Sequence, residues 1–455
     1  MPILKANSKK AESPARTLVI GFLIIIAVGT LLLFLPISSK SREFTPLFDC
    51  LFTATSATCV TGLIVYDTFT HWSLFGQIVI ALLVQVGGLG FVTIITFFNI
   101  SIGKKLGYHT LKNVAGDYSE SFFEGGRRIL VTIMKYSLIF ELAGAALMAI
   151  VFIPHYGAYG IWVSIFMSIT AFCNAGFDLM GIEEEFGSLT VFNDNPLVLI
   201  TLALLILIGG LGFIVWENFL GLRKSRKLSL HTKAVLIMTG IMTVSGTLFY
   251  LLAEWGNPAT LGGMNFGEKL LNAFFSSVTA RTAGFNSISV EGMSEFSQLG
   301  TCLLMFVGAA PASTGGGIKL TTLMVLVMTV VSYIKNQNDV EILKHKIGKL
   351  AVYRTLVITA LSFAAVMACF SALYFSMPEE HTGNAVQCMF DAVSAFSTAG
   401  LSTGATAVSG LFGRVVVIIT MFVGRVGPVS LIMSLVMNSA GRKNIVVPDG
   451  QIIIG

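Results

Sequence analysis

The chain has 455 residues, of which 54% are hydrophobic and only 12% are charged. Soluble domains carry about a quarter charged residues, so this composition excludes an ordinary soluble fold and indicates a protein of the lipid bilayer. The net charge of +5 does not indicate nucleic-acid binding, because the lysines and arginines lie in polar segments between apolar runs of about 20 residues, the length that crosses a bilayer.

Basic segments alternate with acidic or neutral ones along the chain. Under the positive-inside rule, this pattern predicts a multi-pass protein of the cell membrane with both termini and three loops in the cytoplasm. The first apolar run, from about Leu18 to Ile37, is too long for the h-region of a signal peptide and is interpreted as a retained span. The positive charge is concentrated in five clusters, near Lys10, Lys105, Arg226, Lys346 and Arg442.

The apolar part of the chain repeats a unit of about 110 residues four times. Each unit has a long apolar span, a short mixed segment that ends in glycine, and a second span. We refer to the last three residues of each short segment as a glycine segment. The four glycine segments are Val60, Thr61 and Gly62; Asn174, Ala175 and Gly176; Thr282, Ala283 and Gly284; and Thr398, Ala399 and Gly400.

Each glycine follows about 12 to 15 residues that would form a helix of about 20 Å, too short to span, so we interpret it as a re-entrant half-helix. The C-terminal end of a helix carries about half a negative charge, and glycine allows a backbone whose carbonyls face an axis. Four such ends would form a ring of carbonyl oxygens able to replace a cation's hydration shell. Close packing of small residues is the alternative, but four motifs at one place in four repeats favour the ring.

The second spans depart from the repeat at two places. Arg425 occupies the position that Gly88 and Gly210 hold in the first two units, and an arginine inside an apolar span predicts a functional site; a structural tie to helix carbonyls is the alternative. The third second span is broken by a proline and three glycines, in the register of Arg425, which predicts a gate. The residues of this gate are Gly308, Ala309, Ala310, Pro311, Ala312, Ser313, Thr314, Gly315, Gly316, Gly317 and Lys319, together with Arg425.

Two nucleotide motifs are excluded. The 308–319 segment fails the phosphate-loop pattern because Ile318 separates Gly317 from Lys319 and no strand precedes it. The two Gly-Gly-Leu-Gly-Phe stretches, 87–91 and 209–213, fail the dinucleotide fingerprint, because we expect them to lie inside apolar helices.

Three features of the chain resemble the Trk/Ktr/HKT potassium transporters. They are the four repeats with one glycine each, a third inner helix interrupted by Ser313–Lys319, and an arginine in the fourth inner helix. The likeness covers the chain after about Arg16 and is closest to the KtrB-type membrane subunit, because no extra N-terminal helix pair is present. It implies that Gly62, Gly176, Gly284 and Gly400 lie in a selectivity filter whose backbone carbonyls bind K⁺. It also implies that the 308–319 loop gates the pore and that Arg425 helps to hold it closed.

The resemblance further implies a homodimer in the bilayer on a cytosolic ring of RCK-type, KtrA-like nucleotide-binding subunits. K⁺ is then the transported ion, Na⁺ stays open as an activator or symported ion, and no tightly bound cofactor is expected. A serine in place of Gly62 would indicate sodium permeability, as in some plant relatives. Whether Asp67, Asp178 and Glu291 attract cations to the outer mouth, or are solvated loop acids, stays open.

The expected fold is therefore an all-α polytopic membrane protein with eight spans and four half-helices in a pseudo-four-fold arrangement around an ion pore. A secondary transporter for a small organic solute is the alternative function, and an enzyme is not expected, because the spans carry no nucleophile–base pair or metal ligands. The predicted parts are an N-terminal cytoplasmic segment (1–16), repeat 1 (17–102), repeat 2 with its preceding loop (103–220), repeat 3 (221–336), repeat 4 (337–438) and a cytoplasmic tail (439–455).

Overall fold

A computed structural model of the chain describes residues 14–90, 122–225, 227–378 and 385–436. The predicted C-terminal tail, most of the N-terminal segment and the end of repeat 1 with the loop that follows it lie outside the described residues. The described part is helical apart from one short hairpin. Its helices follow the order that the sequence repeat predicts.

The first two units share one plan, in which a long helix is followed by a short buried helix and then by a helix that ends at a glycine. Asp67 caps the short helical turn that follows the first buried helix, because its side chain accepts hydrogen bonds from the N–H groups of Phe69 and Thr70. Unit 1 contains α1 (Pro14–Phe34), α2 (Leu47–Cys59), α3 (Thr68–His71) and α4 (Leu74–Leu89). Unit 2 contains α5 (Phe122–Tyr156), α6 (Tyr159–Phe172), α7 (Pro196–Gly210) and α8 (Phe213–Ser225), with 3₁₀ turns at Met180–Ile182 and Ser188–Phe192.

Units 3 and 4 follow the same plan, except that the last helix of unit 3 is split by the 308–319 loop. Unit 3 contains α9 (Leu230–Ala253), α10 (Phe266–Thr279), α11 (Glu295–Phe306) and α12 (Leu320–Ile334). Strands β1 (Val340–Ile342) and β2 (His345–Ile347) then form an antiparallel hairpin. Unit 4 contains α13 (Lys349–Ser376), α14 (Ala385–Ser397), α15 (Ala405–Val408), α16 (Leu411–Val426) and α17 (Pro428–Val436).

The long and short helices differ in what they expose. The long first helices present large apolar side chains on the outer surface: Leu142 is 59% exposed and Val244 is 61% exposed. The short helices α2, α6, α10 and α14 are buried along most of their length, with Phe52, Phe172, Phe275 and Phe390 at 0% exposure. The outer surface is therefore apolar, and the core contains short helices with Ser, Thr and Gly residues. This is the reverse of a soluble protein and is the arrangement that a lipid bilayer favours.

Four described helices are long and apolar enough to cross a membrane, one at the start of each unit, or five if the bent pair α7 and α8 counts as one. The predicted total of eight spans therefore stays a prediction. Helices α7 and α16 are short because the chain breaks at Gly212 and Gly427, whose φ values are 88° and 87°, and α4 ends before Gly90, whose φ is 81°. The expectation that residues 209–213 lie inside a helix is wrong, since the chain bends there by 92° between α7 and α8.

Candidate functional site

All four short helices end in the same backbone conformation. The first residue of each glycine segment has a left-handed φ, between 53° and 74°, at Val60, Asn174, Thr282 and Thr398. The glycine two positions later has a φ of 68° to 88°. Only glycine adopts the second conformation without strain, which explains the residue type that recurs at Gly62, Gly176, Gly284 and Gly400.

The turn into each glycine segment is closed by a backbone hydrogen bond that runs back over the helix end. The N–H groups of Thr61, Ala175 and Ala399 donate to the carbonyl five residues earlier, at 2.8 to 2.9 Å, as in a Schellman closure. In unit 3 the N–H of Ala283 instead donates to the carbonyl of Thr279 at 3.0 Å. The Thr279 hydroxyl also donates to the carbonyl of Phe285 and accepts a hydrogen bond from the N–H of Phe285. These bonds satisfy the last carbonyls of the helix and leave the next ones free.

The carbonyl oxygens of the glycine segments are the unusual feature of the site. None of them accepts a hydrogen bond from a protein donor in the part of the chain that the structure describes. Every side chain of these segments is at 0% exposure. Because buried carbonyls are normally paired, a set of unpaired ones repeated four times is typical of backbone that coordinates a cation.

The four glycine segments meet in a closed ring. A Cβ built on Gly62 would lie 2.5 Å from the carbonyl oxygen of Ala175, and one on Gly176 would lie 2.8 Å from that of Ala283. A Cβ built on Gly284 would lie 2.8 Å from the carbonyl oxygen of Ala399, and one on Gly400 would lie against the carbonyl oxygen of Thr61, which closes the ring. Each glycine therefore gives the backbone of the next unit the room to approach, and the cyclic order follows the chain order.

Side chains link neighbouring members of the ring. The amide of Asn174 and the hydroxyl of Thr282 lie 3.1 Å apart and are hydrogen-bonded. The N–H of Gly62 donates to the Ser56 hydroxyl at 3.1 Å. The predicted segment residues are therefore all brought together, and Asn174 adds a link that its place in the repeat did not predict.

The 308–319 loop lies directly against this ring. The N–H of Gly316 donates to the hydroxyl of Thr398 at 3.0 Å, and a Cβ on Gly315 would collide with the hydroxyl of Thr282. On its other side, the N–H of Ala310 donates to the carbonyl of Gly210 at 3.0 Å. Lys319 folds back and donates to the carbonyl of Gly315 at 2.7 Å. The loop is thus held between the end of α7 and the third and fourth glycine segments.

Arg425 joins this loop to unit 1. Its guanidinium donates to the carbonyl of Thr314 in the loop and to the carbonyls of Gly87 and Gly88 in the last turn of α4, the last at 3.2 Å. The shared register of loop and arginine predicted that they meet, and they do. Because one guanidinium bonds two elements from different units, its removal would release both.

The later helices of units 1, 2 and 4 pack on the short helices through glycine. A Cβ on Gly87, Gly209 or Gly424 would collide with a backbone carbonyl near the end of the short helix of the same unit. These carbonyls belong to Thr58, Phe172 and Phe396. In unit 3 the matching Gly308 faces the carbonyl of Gly316, in the loop itself. The loop therefore fills the place that a helix end holds in the other units.

Asp391 is a site residue that sequence reasoning missed. Its carboxylate, at 0% exposure in α14, accepts hydrogen bonds from the N–H groups of Thr403 (2.9 Å) and Thr406 (2.7 Å). The hydroxyls of Ser402 and Thr406 also donate to it. The signal was available, because Asp391 is the only charged residue of this short helix and a Ser- and Thr-rich segment follows Gly400.

The outer acids divide into different roles. Asp67 is 3% exposed and caps α3, so it stabilises the turn. Asp178, two residues past Gly176, accepts a hydrogen bond from the N–H of Met180 at 3.0 Å, and burial raises the pKa of its carboxyl to about 6. Glu291 is exposed. Asp67 therefore has a structural role, while the question of cation attraction stays open for the other two.

A ring of unpaired carbonyls inside a bundle of outward-apolar helices defines a class of protein, the membrane proteins that handle cations. The sequence model of the family TrkH, described as cation transport protein, matches residues 5–443. The chain belongs to this family of cation transport proteins. It is therefore a transporter and not an enzyme, as predicted, and the predicted membership of the Trk/Ktr/HKT superfamily is confirmed.

Curated relatives match along the whole chain. It is 36% identical to the potassium/sodium uptake protein NtpJ of Enterococcus hirae, over 100% of both chains. It is 35% identical to the Ktr system potassium uptake protein B of Bacillus subtilis, over 97% of both. Among solved structures, the potassium transporter TrkH of Vibrio parahaemolyticus aligns with a TM-score of 0.71 at 16% identity, over 95% of this chain and 87% of that one. The predicted helical membrane fold is confirmed by this likeness, apart from the hairpin of β1 and β2.

Proposed function

We propose that this chain is the membrane subunit of a potassium uptake system and passes K⁺ through the ring formed by the four glycine segments. One observation carries the proposal: the buried carbonyl oxygens of these segments have no protein donor among the described residues. Carbonyl oxygens replace water around a cation without a fixed negative charge, so an ion held by them can also leave. The ring is then the selectivity filter.

The names of the relatives favour K⁺ as the transported cation. Both relatives above are named for potassium uptake, and glycine is present at all four filter positions. One relative is named for sodium as well, which supports Na⁺ as a second ion that acts on the uptake of K⁺. The alternative, a transporter for an organic solute, has no comparable support, because the described ring offers backbone oxygens and little else.

The 308–319 loop acts as the gate in this proposal. It lies against Thr282 and Thr398 of the ring and is tied by Arg425 to α4. A loop held by a few backbone bonds and containing three consecutive glycines can change its conformation at low cost. Opening would break the Arg425 bonds and move the loop away from the ring.

The proposal includes a cytosolic partner and a second copy of the chain. Several relatives are named as parts of a Ktr system, which supports a partner subunit. In this proposal the partner is a regulatory subunit of the RCK type beneath a homodimer, as the family resemblance implies. The basic segments support a cytoplasmic position for both termini, on the side where such a subunit would bind. Opening of the loop would then depend on the nucleotide state of that subunit.

Ion uptake by proteoliposomes tests the function directly. Purified chain is reconstituted into vesicles loaded with potassium, and uptake of tracer rubidium is followed from a potassium-free medium. We expect rubidium to accumulate above the level of protein-free vesicles, and external K⁺ to inhibit this uptake at a lower concentration than external Na⁺. Parallel assays with and without a few millimolar external Na⁺ test the sodium dependence.

The opposite results would be equally clear. Rubidium uptake at the level of protein-free vesicles, in a preparation that is monodisperse before reconstitution, would contradict a potassium pathway and leave the organic-solute transporter as the better account. Equal inhibition by K⁺ and Na⁺ would retain a cation pathway but refute the assignment of the ring as a potassium-selective filter.

A further inference from the structure

Arg281 is a buried cationic side chain that has no role in the proposed ion pathway. It lies three residues before Gly284, just past the end of α10, and is 6% exposed. Its guanidinium donates to the hydroxyl of Thr243 on α9. Its Nε is buried without a hydrogen-bond partner, and no carboxylate of the described residues forms an ion pair with it.

The side chain lines a cavity between α7, α9 and α10, which Asn174 of the second glycine segment and Ala309 of the 308–319 loop also line. The space open to the centres of water-sized molecules is about 20 Å³, enough for one species of that size. Thr239, one turn before Thr243 on α9, also lines it, and the hydroxyl of Thr239 is buried without a partner as well. Most of the remaining lining is apolar, from residues such as Ile206, Val278 and Leu320. Two polar groups without a partner, one of them cationic, therefore share one cavity whose remaining lining is apolar apart from Asn174.

A negatively charged partner would stabilise the guanidinium of Arg281 in this cavity. A guanidinium stays protonated in proteins, and a buried charge without a counter-charge is strongly unfavourable. It would also repel a cation in the adjacent ring, because like charges separated by protein interact more strongly than in water. A bound anion would remove both penalties.

We propose that this cavity binds a small inorganic anion of the halide class, such as chloride, between the Nε–H of Arg281 and the hydroxyl of Thr239. The anion neutralises Arg281 beside the third glycine segment. The site is independent of which cation the ring conducts, so it stands or falls separately from the proposed function.

A halide fits the position better than a lipid phosphate. Thr239 and Thr243 lie about 14 Å and about 20 Å along α9 from its first residue, at 1.5 Å per residue. They are therefore near the middle of a helix that crosses the bilayer, whereas lipid phosphates lie near its ends. The end of the short helix α10 beside them lies at the same depth.

Thermal unfolding of the purified full chain in detergent tests the site without any flux measurement. The unfolding temperature is measured in potassium chloride and in potassium gluconate of equal concentration, since gluconate is a six-carbon anion far larger than chloride. We expect chloride to raise the unfolding temperature in a saturable manner. Thr239→Val should raise the chloride concentration for half-maximal effect about tenfold, the value of one hydrogen bond to a charged group.

Arg281→Gln should abolish the chloride effect, and Arg354→Gln, at an exposed residue on α13, should retain it as the matched control. If Arg281→Gln does not fold, Thr239→Val still decides. Bromide soaked into crystals should give an anomalous peak between Arg281 and Thr239. Equal stability of the wild-type chain in both salts, an unchanged chloride effect in Thr239→Val, or stabilisation by phosphatidylglycerol in place of chloride would overturn the proposal.

Discussion

Single glycines are the residues on which the account depends most. The four ring glycines were predicted from the sequence, because a glycine at one place in four repeats is a pattern that packing alone does not require. Asn174 was predicted as a segment residue, but its hydrogen bond to Thr282 and the role of Asp391 were not, since each side chain occurs in one unit only and its role depends on a partner from elsewhere in the chain. Thr282, the partner of Asn174, lies in the next unit.

Gly284→Ser is expected to weaken the preference for K⁺ over Na⁺. At a φ of 83° a serine is strained, and its Cβ would lie 2.8 Å from the carbonyl oxygen of Ala399, so the ring must move. We expect the ratio of K⁺ to Na⁺ inhibition constants in the rubidium assay to fall about tenfold or more, which corresponds to about 1.4 kcal/mol.

Gly263→Ser is the matched control, because Gly263 lies in an outer loop with open space at its Cβ position. This variant should keep the wild-type ratio. A wild-type ratio in a well-folded Gly284→Ser protein would remove Gly284 from the filter.

At the scale of helices, the sequence predicted the short helices and the split of the third inner helix, and it missed the breaks after α7 and α16 and the end of α4 at Leu89. Gly90, Gly212 and Gly427 lie in or beside apolar runs, where one glycine costs a helix only about 1 kcal/mol. The break is decided by tertiary contacts that the sequence does not contain. Gly212, for example, lies against the carbonyl of Pro311 in the loop.

Arg425→Ala is expected to increase ion flux. The substitution removes the bonds from Arg425 to the loop at Thr314 and to α4 at Gly87 and Gly88, so the loop is released from the ring. We expect initial rubidium uptake to rise severalfold, and deletion within 309–317 to raise it as well.

Arg42→Ala serves as the control, since Arg42 is exposed in the loop after α1, and it should leave the flux unchanged. Lower flux in Arg425→Ala, with an unaltered unfolding temperature, would show that Arg425 supports the pathway and does not close it.

The described helices form four similar units around one ring, and one of the four, unit 3, differs from the others. The sequence predicted the symmetry, but it could not give the cyclic order of the segments or the unpaired state of their carbonyls. Both depend on how distant units pack. The asymmetry is concentrated in unit 3 and at Arg425, where the loop replaces a helix end and a single guanidinium links it to unit 1.

The position of a bound ion tests the central claim most directly. Crystals grown or soaked with thallium or rubidium, which substitute for K⁺ and scatter anomalously, would show where the protein binds its cation. We expect a peak inside the ring, surrounded by carbonyl oxygens from all four units, including those of Thr61, Ala175, Ala283 and Ala399. A well-ordered structure with no anomalous peak in the ring, or with the ion bound by side chains elsewhere, would contradict the account.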